Sequence, residues 1–320
     1  MKTDGIHHIT AIVGHPQENI DFYAGVLGLR LVKKTVNFDD PGTYHFYFGD
    51  DRGTPGTLIT FFPWQHARRG KVGGGQVGVT VYAIPSGAMP FWEERLKKFR
   101  IDFKATERFG ERYLEFEDVH GLKLALVERE EGRPNSWSFG DVTPDVAIKG
   151  FAGAELYSLD PERTAEAVEK LLGLKRVGED ENVICFKSSA AIGNTLDIKR
   201  VQVERGYIGV GTVHHIAWRA RDEQQLREWQ RFVQAHRFLV TDVRDRNYFK
   251  SIYFREDGEI LFEIATDPPG FMRDEAYESL GQELKLPPQY ERFRDQLERR
   301  LIRVEVREIE DRSSEQESKS

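Results

Sequence analysis

The sequence predicts an α+β fold of four strand–helix–strand–strand–strand modules, closed by a C-terminal helix. Three observations predict it. Segments 6–29 (IHHITAIVGHPQENIDFYAGVLGL) and 151–174 (FAGAELYSLDPERTAEAVEKLLGL) form a faint internal repeat: strand, helix, then Leu-Gly-Leu. Segments 76–99 and 212–233 follow the same plan. After each helix come short β-rich runs joined by Gly- or Asp-containing turns, such as RYLEFEDVHGLKLALVE and SIYFREDGEILFEIA.

The elements follow in order. In module one (4–64), His15 and Pro16 stand at a helix start and Gly28 at its stop; the strands of TYHFYFGDDRGTPGTLITFF come next. Module two (74–130) opens on QVGVTVYAI. Module three (148–201) has Asp160 as N-cap, Pro161 in the first turn and Gly173 as stop. In module four (210–267), Leu226, Trp229 and Val233 form a helical stripe. Modules one and two make a first pair, 1–130, and modules three and four a second, 148–270, across the polar Gly- and Pro-bearing linker 131–147. In the remaining segment, 271–320, Tyr290, Phe293, Leu297 and Leu301 recur at helical spacing, and the final EDRSSEQESKS reads as disordered.

Bulk properties exclude several classes. The 320 residues suit about two domains. A net charge of −7 argues against nucleic acid or an anionic membrane as partner. The single cysteine, Cys185, can form no intrachain disulfide and fits a reducing cytoplasm. The N-terminus carries no signal-peptide apolar core, and no run is long enough to span a membrane. Homo-oligomerisation stays open.

The repeat also locates the chemistry. The first strand of module one carries His7-His8 and that of module four His214-His215, where modules two and three have Gly78 and Gly153. Scattering nine histidines at random gives about 0.25 adjacent pairs. Two pairs occur, at equivalent positions. The last strand of module four places Glu263 within ILFEIA, where burying a carboxylate is costly unless a cation or strong donors meet it. Two imidazoles and a carboxylate are the facial triad of non-haem Fe(II) oxygenases; Mn(II) suits the same ligands. With His8 facing a metal, Thr10 shares its face, while His7 and His214 point away unless a bulge re-aims them.

On the stretches GIHHIT, KKTVNFDDPGTYHFYFGD, GTPGTLITFFPW, GTVHHIAW, DRNYFKSIYFRE and ILFEIATDPPGF the chain resembles the vicinal-oxygen-chelate superfamily. Within it, the chain is similar to the hydroquinone-cleaving branch of the type I extradiol ring-cleaving dioxygenases. The resemblance covers essentially the whole chain. It implies four βαβββ modules in two open barrels, with modules one and four enclosing Fe(II). It implies metal ligation by His8, His215 and Glu263, and active-site roles for Tyr253, Arg246, His7, Thr10 and His214. It further implies a small aromatic substrate and O₂. Catechol cleavers carry an acid–base histidine in the region of Arg244 and Arg246, so its absence favours a para-diol.

Two other readings compete. A glyoxalase-type isomerase needs a fourth ligand where this chain has Thr60; a non-catalytic binder of aromatic compounds needs no triad. Cys185, His15, His66, His120 and His236 read as core, surface or turn residues, and His45, in YHFYF, faces either side.

Overall fold

The computed structural model describes residues 1–201 and 203–309; the tail expected to be disordered lies outside them. Module one runs β1 (Ile6–Val13), α1 (Pro16–Ile20) continuing into a π-helical turn (Asp21–Val26), β2 (Arg30–Val36), β3 (Tyr44–Gly49) and β4 (Leu58–Pro63). Module two runs β5 (Gln76–Ile84), α2 (Met89–Lys98), β6 (Phe103–Arg108), β7 (Glu111–Glu117) and β8 (Lys123–Glu128). Module three runs β9 (Gly150–Tyr157), α3 (Pro161–Lys170), β10 (Lys175–Glu179), β11 (Val183–Lys187) and β12 (Thr195–Lys199). Module four runs β13 (Thr212–Ala220), α4 (Glu223–Ala235), β14 (Arg244–Asp245), β15 (Lys250–Arg255) and β16 (Leu261–Thr266).

Local chemistry sets the helix limits. The Asp160 carboxylate accepts from the Arg163 N–H and caps α3 behind Pro161. His15 Nδ1 accepts from the Gln17 N–H at the start of α1. Gly28 and Gly173 take φ of 68° and 70°, the left-handed conformation that ends a helix at little cost only for glycine. Leu226, Trp229 and Val233 bury fully on the inner stripe of α4.

The four modules build two curled eight-stranded sheets. One has the order β14-β15-β16-β13-β1-β4-β3-β2, the other β10-β11-β12-β9-β5-β8-β7-β6. Module one therefore joins module four, and module two joins module three. This differs from the sequential pairs 1–130 and 148–270. The reason is the seam: β1 pairs antiparallel with β13, and β5 with β9. Every residue of β1 is buried, and seven of the nine in β13. Such a strand stays dry only if a neighbour covers both of its edges.

Helices cover the convex faces over one large apolar core. The concave face of the first sheet holds a smaller cluster, in which Tyr47, Tyr248 and Phe249 meet Phe271 and Leu280. The last two belong to a strap of turns at 268–286 that lies across this face. Fully buried Lys33 anchors the strap, reaching Asp274 at 2.6 Å and also contacting Glu275. The expected C-terminal helix is one short segment, α5 (Arg294–Arg300), whose Leu297 packs into the main core.

Candidate metal centre

The β1–β13 seam carries the two histidine pairs to the middle of the first sheet. Their register, His8 opposite Ala217 and Thr10 opposite His215, sets His8 and His215 as counterparts about a local twofold. Parallel pairing of β16 with β13 brings Glu263 opposite Ala217. His8 Nε2 lies 3.1 Å from Glu263 Oε2, His215 Nε2 lies 2.8 Å from the same oxygen, and the two nitrogens are 3.3 Å apart. All three residues are buried, Glu263 completely. Among the described residues this is the one group of three or more His, Cys, Asp or Glu able to share an ion.

The outer histidines decide what the inner ones offer. A ladder irregularity between Ile6 and His8 turns His7 back toward the cluster. His7 Nε2 sits 3.1 Å from the Thr266 carbonyl, which can only accept, so this nitrogen carries the His7 proton. Burial holds His7 well below the usual imidazole range, hence neutral. His7 Nδ1 is then an acceptor, 2.9 Å from His8 Nδ1, and the His8 proton is drawn to that nitrogen. His8 Nε2 is left as a bare lone pair facing Glu263. His214 Nδ1 meets His215 Nδ1 at 2.7 Å and can do the same for His215. Burial, with His215 beside it, pushes His214 down to about 3.

The donor set fits a divalent cation. Both buried Glu263 oxygens are without a hydrogen-bond partner despite the short contacts, the pattern of a donor set that converges on a cation. Burial would raise the Glu263 carboxyl, yet the adjacent His8 and His215 hold it well below the usual carboxylate range, so it stands as a carboxylate. Ligand atoms about 2.1 Å from one ion and at right angles stand ~3 Å apart, the separation seen here.

A cavity of about 200 Å³ opens beside the cluster. That is below the ~300–1,000 Å³ usual for drug-sized ligands and suits a single ring. Phe62, Trp64 and Phe249 supply apolar wall. Tyr253 stands directly opposite Glu263 in the β15–β16 ladder, its ring 5.6 Å from that of His215. Arg246 Nε donates to Tyr253 Oη at 3.3 Å, and Nη1 reaches Asp39 at 3.1 Å. Burial opposes the Arg246 charge, but Tyr253 and Asp39 more than restore it, so the guanidinium is held firmly protonated. Burial and the nearby Glu263 raise the Tyr253 phenol, which stays a donor. Thr10 lines the cavity as well.

The structure thus brings together His8, His215, Glu263, Tyr253, Arg246, Thr10, His7 and His214. Sequence reasoning missed Asn37, Asp39 and Tyr47 and left the facing of His45 open; all four line the cavity. The alternation in YHFYF, which sends His45 and Tyr47 to one face, was the available signal.

Among the described residues the second sheet has no such centre. Its registers, Val79 opposite Glu155 and Glu155 opposite Asp197, make Val79, Gly153 and Asp197 the counterparts of His8, His215 and Glu263. Val79, not the expected Gly78, is the partner of His8, because strand bulges shift the alignment by one. Arg108 contacts Glu155 and lies 3.8 Å from Asp197 and 3.1 Å from Glu115, a cation supplied by the chain itself. A larger cavity of about 820 Å³ adjoins this sheet but gathers no ligand cluster.

Comparison with known proteins agrees with this architecture. The family model described as Glyoxalase/Bleomycin resistance protein/Dioxygenase superfamily matches residues 5–272. The chain is 62% identical, over 97% of its length and 99% of the relative's, to MhqO of Bacillus subtilis, provisionally named a ring-cleaving dioxygenase. It is 34% identical, over 94% of its length and 96% of the relative's, to a chlorohydroquinone/hydroquinone 1,2-dioxygenase of Sphingobium indicum. A crystal structure of a provisionally assigned dioxygenase from Bacillus subtilis matches with a TM-score of 0.95 at 62% identity, covering 96% of this chain and 99% of that one.

Proposed function

The chain belongs to the glyoxalase/bleomycin resistance protein/dioxygenase superfamily, and on that premise we propose that it is an Fe(II)-dependent ring-cleaving dioxygenase acting on a hydroquinone. The observation that carries the reading is the convergence of His8 Nε2, His215 Nε2 and Glu263 Oε2 within 2.8–3.3 Å at the wall of a ring-sized cavity. Names borne by relatives, ring-cleaving dioxygenase and hydroquinone dioxygenase, support the reaction class.

His8, His215 and Glu263 would hold the ion on one face, leaving positions for two small ligands. Fe(II) bound there supplies Lewis acidity toward a phenol oxygen and electron exchange with O₂; Mn(II) fits the same ligands. The remaining work falls to the chain. His7 and His214 fix the ring tautomers of the two histidine ligands. Phe249, Phe62 and Trp64 enclose the substrate ring and exclude water. Arg246, permanently charged, attracts anionic oxygen on the substrate. Tyr253 donates its phenol hydrogen to an oxygen at the reacting edge, and Thr10 offers a hydroxyl on the opposite wall. Thr60 in place of a fourth ligand argues against a glyoxalase-type isomerase. Histidine is absent from the Arg244–Arg246 region, which favours a para-diol over a catechol.

The test is aerobic turnover of methyl- and chloro-hydroquinone by Fe(II)-loaded protein, followed by O₂ uptake and product mass. Ring-opened product carrying both oxygen atoms is expected. A chain that holds one metal equivalent yet yields no such product would be no hydroquinone dioxygenase.

A further inference from the structure

One wall of the cavity is a continuous line of hydrogen bonds, of which the reading above uses only the Thr10 end. Thr10 Oγ1 lies 2.8 Å from Thr60 Oγ1. Thr60 Oγ1 lies 2.9 Å from His45 Nε2, and His45 Nδ1 lies 2.9 Å from Tyr47 Oη. Four groups from three neighbouring strands, β1, β4 and β3, thus form one chain. Strand pairing imposes it: Thr10 stands opposite Thr60, and Thr60 opposite Tyr47. Thr10, His45 and Tyr47 all line the cavity, so both ends of the chain open onto it. Thr60 is the counterpart of Glu263 in module one. The place where module four supplies a ligand here supplies a hydroxyl instead.

We propose that His45 is the proton store of this site, wired to the cavity through Tyr47 at one end and through Thr60 and Thr10 at the other. The assignment rests on the hydroquinone reading of the cavity.

The hydrogen-bond inventory supports it. Each hydroxyl both donates and accepts, and a neutral imidazole does one of each. The wire therefore has two polarities. With Tyr47 donating to Nδ1, a substrate hydroxyl gives its proton to Tyr47 Oη as Tyr47 passes its own to the ring. With Thr60 donating to Nε2, the proton enters at Thr10 and moves by the same exchange. In either case one substrate O–H bond breaks and one N–H bond forms. The hydroxyls end as they began, the substrate is a phenolate, and His45 is an imidazolium whose charge the phenolate balances. Reversal returns the proton to the opened product. Tilted contacts of the His45 ring with Tyr47 at 4.1 Å and Phe62 at 4.5 Å hold it in line. Burial keeps His45 neutral at rest, so the wire starts empty.

The experiment compares His45→Gln, which keeps a polar amide at the ring's place but stores no proton, with Thr60→Val and Thr60→Ser. Hydroquinone turnover is measured with Fe(II)-loaded protein of verified metal content and circular dichroism. His45→Gln is expected to lower kcat about 100-fold with KM within about threefold. Thr60→Val is expected to lower kcat, and Thr60→Ser to restore it. Loss of less than tenfold in His45→Gln, or equal rates for the valine and serine variants, overturns the assignment. A second arm needs no turnover. Nitrogen-15 NMR of the metal-free protein should show a slowly exchanging His45 ring proton that becomes fast in Thr60→Val. A His45 ring that exchanges like free imidazole in the wild type overturns the wire. If wild-type protein turns over no diol, the hydroquinone reading fails, and the NMR arm alone decides the wire.

Discussion

At the scale of single residues, His7 is the least conspicuous part of the centre and among the most easily tested. It touches no ligand atom that faces Glu263, yet its Thr266 contact sets which His8 nitrogen is bare. His7→Phe should therefore weaken metal affinity ~10–100-fold while leaving all three ligands in place. Competition with a calibrated chelator measures this, and an unchanged affinity would refute the tautomer relay. Glu263→Gln keeps shape but removes the only negative group of the proposed ligand set. Its metal content, read by mass spectrometry of the ion, should fall below about a tenth of wild type. His8, His215 and Glu263 were legible in the sequence because the repeat set two histidine pairs at one position and a carboxylate in an apolar strand. His45 and Thr60 were not. Nothing in a lone strand says which face is concave, and the hydroxyl partner lies on another strand.

At the scale of elements, the helices were readable from their caps, since a cap is a local agreement between a side chain and the next turn. Asp160 with Pro161, and the stripe of α4, behave as the pattern predicts. The strap at 268–286 was not readable, because its order comes from docking rather than from periodicity. Lys33 is the pin of that docking. Lys33→Met leaves the Glu275 carboxylate buried beside apolar surface and should cost about 3 kcal/mol, seen as a lower midpoint in denaturant. Loosening of the strap should also raise KM, since Phe271 supports Tyr47 at a ring separation of 5.0 Å. A variant as stable as wild type would show that the strap is pinned elsewhere.

At the scale of the whole molecule, the fold buries an unusual load of neutral imidazole. Burial lowers His7, His45, His214 and His215. In the unfolded chain these rings take up protons near pH 6.5; in the folded chain they resist. Stability from this source is whole above that range and falls as pH drops below it, because the unfolded state then binds more protons. Chelator-treated protein should lose thermal stability steadily from pH 7 to pH 5, and a flat melting temperature over that interval would contradict it. A saturating divalent ion should raise the melting temperature at pH 7, by the equivalent of ~2.7 kcal/mol at a hundredfold excess over its Kd. The ranges 1–130 and 148–270 follow chain order, whereas the sheets join module one to module four, as the resemblance implied, and module two to module three. Adjacent modules look like natural pairs, but the seam strands seek whichever partner covers their edges.

That seam also bears on what a severed chain could do. His8 and His215 stand 207 positions apart, and Glu263 follows 48 positions further on. Any fragment that loses either β1 or β16 therefore carries at most two of the three groups, and reassembly of the cluster requires both pieces to meet again across the seam.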